Sequence, residues 1–156
     1  MAVVDPPVFQ ASDPAYGQRV RDSFARQGMM GHLGAVLAGL GPGWCEIALP
    51  FRPELTQQHG FFHAGAVVTI ADNAAGYAAY TLMPAGSTVL TAELKVNLMA
   101  PARGERLLAR GVVRKPGRTL SVVEAEVTAF ADGRPTAVAL MLATMFCLAD
   151  RPDRPA

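Results

Sequence analysis

A chain of 156 residues makes one ordinary domain, long enough to bury a core and too short for two. With 51% hydrophobic and 17% charged residues it is rich in apolar surface, which favours burial of some of that surface between copies. A formal net charge of +1 gives no long-range attraction to nucleic acid or to an anionic membrane.

In chain order, residues 1–15 are aperiodic and contain Pro6, Pro7 and Pro14, which predicts a flexible tail. They lack the basic head and apolar stretch of a secretory signal. Residues 16–27 carry Val20 and Phe24 at i, i+4 and predict a short amphipathic helix, broken over residues 28–34. Residues 33–40 are apolar without a decisive period, so helix and strand both stay open. Gly41-Pro42-Gly43 marks a turn, and residues 44–50 predict a strand.

The best helix candidate spans about 63–81 and is ended by Met83-Pro84-Ala85-Gly86. It is apolar on nearly every side, which in a chain full of strands predicts a helix wrapped by a sheet. Its alanines and glycines argue against a membrane span, and the uncharged run 136–149 is too short for one. From Thr88 the period becomes two. Thr91, Glu93, Lys95 and Asn97 alternate with Ala92, Leu94, Val96 and Leu98, predicting a strand with one polar and one apolar face.

Residues 105–115 alternate again, and Pro116-Gly117 turns the chain. Val123, Ala125, Val127 and Ala129 then oppose Glu124, Glu126 and Thr128, and Asp132-Gly133 marks a hairpin. The last strand, about 135–148, is apolar on both faces and is placed centrally. The sheet needs a partner for its apolar face. The elements therefore predict one α+β domain over residues 16–149, an antiparallel sheet of about five to six strands curled round one long helix. Residues 150–156, with two prolines, are expected to be disordered.

Cys45 and Cys147 lie in apolar runs without CxxC or disulfide spacing, as in a reduced, cytoplasmic protein. His32, His59 and His63 have neither a helical i, i+4 pair nor a supporting cysteine set, so no metal is expected. No nucleophile elbow is present, which excludes a serine hydrolase of that kind.

Asp72 is the residue that calls for an explanation. It sits in the middle of the apolar helix, and its neighbours three and four positions away, Val68, Thr69, Ala75 and Gly76, include no cation. Burying an isolated carboxylate is costly. The bland account is a hydrogen bond to Thr69 or to a backbone amide. Upstream, the helix starts at His63-Ala64-Gly65, where small residues let another molecule approach unpaired N–H groups at the positive end of the dipole. Such a helix start can hold a developing oxyanion. Nine residues of helix put the carboxylate about 13 Å down the axis and about half a turn round. An attacking group and oxyanion donors must both lie within about 3 Å of one reacting carbon. If both act, the site joins the helix start of one subunit to Asp72 of another, as a two-fold dimer allows.

His63-Ala64-Gly65 followed by Asp72 resembles the His-Gly-Gly segment and downstream helical carboxylate of hotdog-fold acyl-CoA thioesterases, specifically the phenylacetate-pathway type. The likeness runs from about Gly43 to Leu148 and includes Leu98-Met99-Ala100-Pro101-Ala102 and the stretch from Arg118 to Val127. The resemblance implies a hotdog fold and cofactor-free hydrolysis of an acyl-CoA by a homodimer or homotetramer. It implies that Asp72 is the base or nucleophile, that the Ala64 N–H polarises the carbonyl, and that Gln57 orients carbonyl or water. Thr91 would position the water, with Gln58 a close second to Gln57. His63, Gly65 and Asn73 belong to the substrate-binding surroundings. Ala64 stands where the family has its first glycine, a change that costs little if the residue only donates an N–H from a helical conformation. Arg103, Arg106, Arg110, Arg114, Lys115 and Arg118 are candidates for the coenzyme A phosphates. Two other readings share the fold. A non-catalytic acyl-CoA-binding module is expected to lack the carboxylate, and a dehydratase is expected to pair it with a following His that Asp72-Asn73 lacks.

Overall fold

The computed structural model describes residues 8–153. The chain opens with two short helices, α1 (Tyr16–Ala25) and α2 (Gly28–Leu33). Residues 28–34 were expected to break the helix; instead the break falls at Gln27, whose extended backbone caps a second helix over Gly28–Leu33. Gly34 then ends α2 at φ 72°, a left-handed conformation suited to glycine. The undecided segment that follows is a strand, β1 (Val36–Gly41), fixed by tertiary pairing with β2 (Trp44–Pro50).

After a short 3₁₀ turn the buried helix α3 runs Ala64–Tyr80, one residue inside each end of its predicted span. Four strands complete the sheet: β3 (Thr88–Leu98), β4 (Arg106–Lys115), β5 (Leu120–Ala131) and β6 (Arg134–Leu148). All pairings are antiparallel, in the order β1-β2-β4-β5-β6-β3. β6 is interior, as its two apolar faces predicted. Asp132 and Gly133, at φ 50° and 72°, make the tight turn into it. This is the six-stranded hotdog architecture.

The sheet curls round α3 because the facing residues are small. Ile70, Ala71, Ala74, Ala75 and Ala78 of the helix are fully buried against inward residues such as Ile47, Leu107, Val123 and Met141. At the tightest approach, a Cβ on Gly111 of β4 would lie 2.4 Å from the Ala74 carbonyl oxygen.

β3 departs from its sequence pattern. A bulge between Thr91 and Glu93 sets Thr91 opposite buried Met145 but Glu93 opposite Thr144. Thr91 therefore turns inward toward α3, while Glu93, Lys95 and Asn97 face outward. The alternation had put all four on one polar face, and one extra residue, Ala92, separates them. β3 is also an edge strand, and its inward-register Leu94 and Leu98 remain exposed in the single chain.

The expected tails lie partly outside the described residues, at 1–7 and 154–156. Within the described part, residues 8–15 form no helix or strand, yet Phe9 packs on the core and Asp13 pairs with Arg19 at 3.1 Å. Asp153 is hydrogen-bonded to Arg26 and Thr88. Among the described residues no helix is long and apolar enough to cross a membrane.

The helix-to-sheet approach makes a direct prediction. Gly111→Ala should lower stability by about 1–3 kcal/mol, the usual cost of overpacking, read from urea unfolding. An unchanged midpoint would mean that β4 and α3 do not lie this close.

Candidate functional site

The first half of the site is the start of α3. His63 takes the N-cap position with φ −63° and ψ 140°, and its Nδ1 accepts the Gly65 N–H at 2.8 Å. Its own N–H donates to the Leu55 carbonyl at 2.8 Å, and Phe62 N–H donates to Ala102 at 3.0 Å. These bonds fix the helix start and use the Gly65 N–H. Ala64 N–H has no acceptor among the described residues. Ala64 is not among the residues at positive φ, so the missing glycine leaves no backbone strain there.

Ala64 lines a cavity of about 480 Å³ together with Gln57, Phe61, Val67, Met99 and Pro101. The Gln57 side-chain oxygen accepts the His59 N–H, which leaves its Nε2 donor for a ligand. Gln58, the alternative to Gln57, is exposed, touches the His59 ring at 3.4 Å and does not line this cavity. Arg103 does not line this cavity and lies over the ring of Phe61, which does, at 4.1 Å. Arg110 and Arg114 are instead paired with Glu46 and Glu124, and Arg106 lies over Phe130.

The second half surrounds Asp72. The inward-turned Thr91 hydroxyl donates to Asp72 Oδ1 at 2.7 Å. Asn73 Nδ2 donates to the Thr69 carbonyl at 3.2 Å, while its Oδ1 is buried without a partner. Burial pushes the Asp72 carboxyl above the ordinary carboxylate range, and the Thr91 hydroxyl offsets part of that rise. The bland account of Asp72, a bond to Thr69, is replaced by a bond across to the sheet.

Asp72, Asn73, Thr91 and Tyr77 line a small cavity of about 120 Å³. Ser23, Gln27 and Asp153 line it too, and sequence reasoning missed them. Ser23 and Gln27 come from α1 and its exit and Asp153 from the segment after β6, with no spacing to connect them to Asp72. The Tyr77 hydroxyl accepts from Gln27 Nε2 at 2.7 Å. Tyr80, three residues on, does not line this cavity and donates to the Ser87 carbonyl.

Within one chain the structure thus brings Gln57 together with Ala64, and Asp72 with Asn73 and Thr91. The two groups line separate cavities with no residue in common. Both cysteines are free and buried, and burial pushes the Cys45 thiol up to about 12, so it is chemically quiet. Among the described residues no group of three or more His, Cys, Asp or Glu is placed to hold a metal ion.

The raised Asp72 pKa has a sign that can be tested. A carboxyl whose folded pKa exceeds its unfolded value costs stability as pH rises from the unfolded value through the folded one. Asp72→Asn should therefore unfold at a higher temperature than wild type at neutral pH, and the difference should vanish below the ordinary carboxylate range. Thr91→Val should move the Asp72 carboxyl pKa further up, as read by NMR titration. A fall in that pKa would show that the hydroxyl does not favour the ionised form.

Comparison with known proteins agrees with this architecture. A family model described as the thioesterase superfamily matches residues 59–136, half of the chain. A curated protein of Halobacterium salinarum named as an esterase is 31% identical over 121 residues, covering 72% of this chain and 80% of that protein. A crystal structure of a thioesterase family protein from Silicibacter pomeroyi is 53% identical, covers 86% of this chain and 98% of that one, and superposes with a TM-score of 0.85. The PaaI protein of the Escherichia coli phenylacetic acid degradation operon, 18% identical over 86% of this chain and 94% of its own, shares the fold with a TM-score of 0.76. The chain belongs to the thioesterase superfamily.

Proposed function

We propose that this chain hydrolyses acyl-coenzyme A thioesters in a homodimer whose two sites each join the start of α3 from one subunit to Asp72 of the other. The observation that carries the reading is the pairing of unlike halves. One half offers an unpartnered Ala64 N–H at a helix N-terminus beside the Gln57 amide. The other offers a half-buried carboxylate held by a hydroxyl. Neither half completes a hydrolase alone. Along one helix they stand about 13 Å apart.

Brought together, they divide the chemistry. The thioester carbonyl lies against Ala64 N–H, with Gln57 Nε2 as a second donor, and the dipole of α3 favours the oxyanion. Asp72 takes a proton from a water held by the Thr91 hydroxyl, and the water oxygen bonds to the carbonyl carbon. The tetrahedral intermediate collapses, the carbon–sulfur bond breaks, and the leaving thiolate of coenzyme A recovers the proton. A pKa raised by burial makes Asp72 a stronger base than an exposed carboxylate. Arg103, stacked over the cavity residue Phe61, is the candidate for a coenzyme A phosphate.

Two features of the single chain support self-association. β3 ends the sheet with an unpaired edge, and Leu94 and Leu98 beside it are 37% and 54% exposed. An open apolar edge of this length favours pairing with another chain. On the outer face, Leu120 pairs with Phe146 in register and is about half exposed, as is Leu142. That face is a second apolar contact through which dimers join as a tetramer.

Thiol release from a panel of acyl-CoAs tests the activity. Asp72→Asn should fold and lose roughly 10²–10⁴ in turnover, the worth of a positioned acid–base group. Turnover near wild type would remove Asp72 from the reaction. Ala64→Gly should stay within a fewfold of wild type, because the backbone N–H and not the side chain acts. A gain of about a hundredfold or more, the worth of a single oxyanion donor, would mark the natural helix start as impaired.

A further inference from the structure

The cavity beside Asp72 has a back wall that belongs neither to α3 nor to the sheet. Ser23 and Gln27 come from α1 and its exit, and Asp153 comes from the segment after β6. The same three residues line a second, open cavity of about 460 Å³, together with Arg26, Leu90 and Leu148. They stand where the two cavities meet.

Bonds to three elements hold this wall in place. Arg26 Nη2 donates to the Asp153 carbonyl at 2.6 Å and to its carboxylate at 2.8 Å. Thr88 Oγ1, at the start of β3, donates to the other carboxylate oxygen at 2.9 Å. On the α3 side, Gln27 and Ser23 meet the Tyr77 hydroxyl at 2.7 and 3.1 Å. Arg26 and Asp153 are both partly exposed, with side chains 48% and 29% accessible. A pair so exposed is weakly held and can be undone without disturbing the core.

We propose that Ser23, Gln27 and Asp153 form a partition that sets the size of the acyl group the site accepts. The proposal rests on the reading of Asp72 as the group that acts on a thioester. The space in front of the partition is about 120 Å³, and a cavity of roughly 150 Å³ is filled by one benzene. An acyl group seated in this space is therefore short, with no more bulk than a small ring or a few-carbon chain. Behind the partition lies space several times larger, flanked by the apolar side chains of Leu90 and Leu148. Opening the partition joins the two spaces and admits a long chain. Arg26 does not line the cavity beside Asp72. It acts as a positioning residue, by fixing Asp153.

The test is chain-length selectivity. Wild type, Arg26→Ala and Asp153→Ala are compared by kcat/KM on straight-chain acyl-CoAs from acetyl to palmitoyl. Wild type should favour the short members. Arg26→Ala should leave acetyl and butyryl turnover within about threefold and raise the ratio of octanoyl to butyryl by about tenfold or more, since each newly buried methylene is worth roughly fourfold. Asp153→Ala should raise the same ratio, and Thr88→Val gives a third route to a loosened Asp153 if either variant fails to fold. A purely structural role would lower all chain lengths together. An unchanged chain-length profile in the folded variants, or a wild type that prefers palmitoyl, would overturn the partition.

Affinities of unreactive thioether analogues of the same series are measured alongside. If no protein releases thiol from any substrate, the hydrolase reading fails. The analogue affinities then decide the partition alone: a shift toward long chains in Arg26→Ala supports it, and parallel profiles refute it.

Discussion

The close fit of α3 inside the sheet is the constraint on which the rest of the structure depends. A sheet can curl tightly round a helix only if the facing side chains are small. Ala71, Ala74, Ala75 and Ala78 meet that requirement, and Gly111 lies almost against the Ala74 carbonyl. The consequence reaches the site. A helix so enclosed shows solvent little beyond its start, at His63-Ala64-Gly65, and the strip that carries Asp72, Asn73 and Gly76 beside the edge strand. The two stretches of α3 that chemistry can use are thus selected by packing, and the same helix keeps them apart.

Much of this was legible in the sequence because it depends on local pattern. The long apolar run with one carboxylate gave α3 to within a residue at each end, the alternating runs gave β4 and β5, and the continuous apolar run gave β6. Asp132-Gly133 declared its hairpin. What was not legible depends on partners distant in sequence. β1 is a strand because β2 lies beside it, not because residues 33–40 have a period. The bulge at Ala92 has no signature in Thr91-Ala92-Glu93, yet it turns Thr91 inward to meet Asp72. Thr91 was named from family resemblance, while the alternation alone placed it on the wrong face.

The same division holds for the site. Gln57 is separated from Gln58 only by the loop geometry that turns one side chain into the cavity and leaves the other exposed. Ser23, Gln27 and Asp153 were invisible beforehand, since the ends of the domain reach Asp72 only through the finished fold. Asp72, the candidate base, had a local oddity to betray it, a charge in an apolar helix. Residues that shape the cavity had none.

The central claim is that no single chain holds a complete site, and complementation between two defective chains tests it most directly. Asp72→Asn damages one half, and Gln57→Ala damages the other. Each is first shown to be dimeric and nearly inactive alone. A purified heterodimer then carries one site with both defects and one intact site, and a two-fold dimer should recover about half of wild-type activity, or about a quarter in a random mixture. Heterodimers as inactive as their parents would contradict the shared site and return the search for the catalytic groups to a single chain.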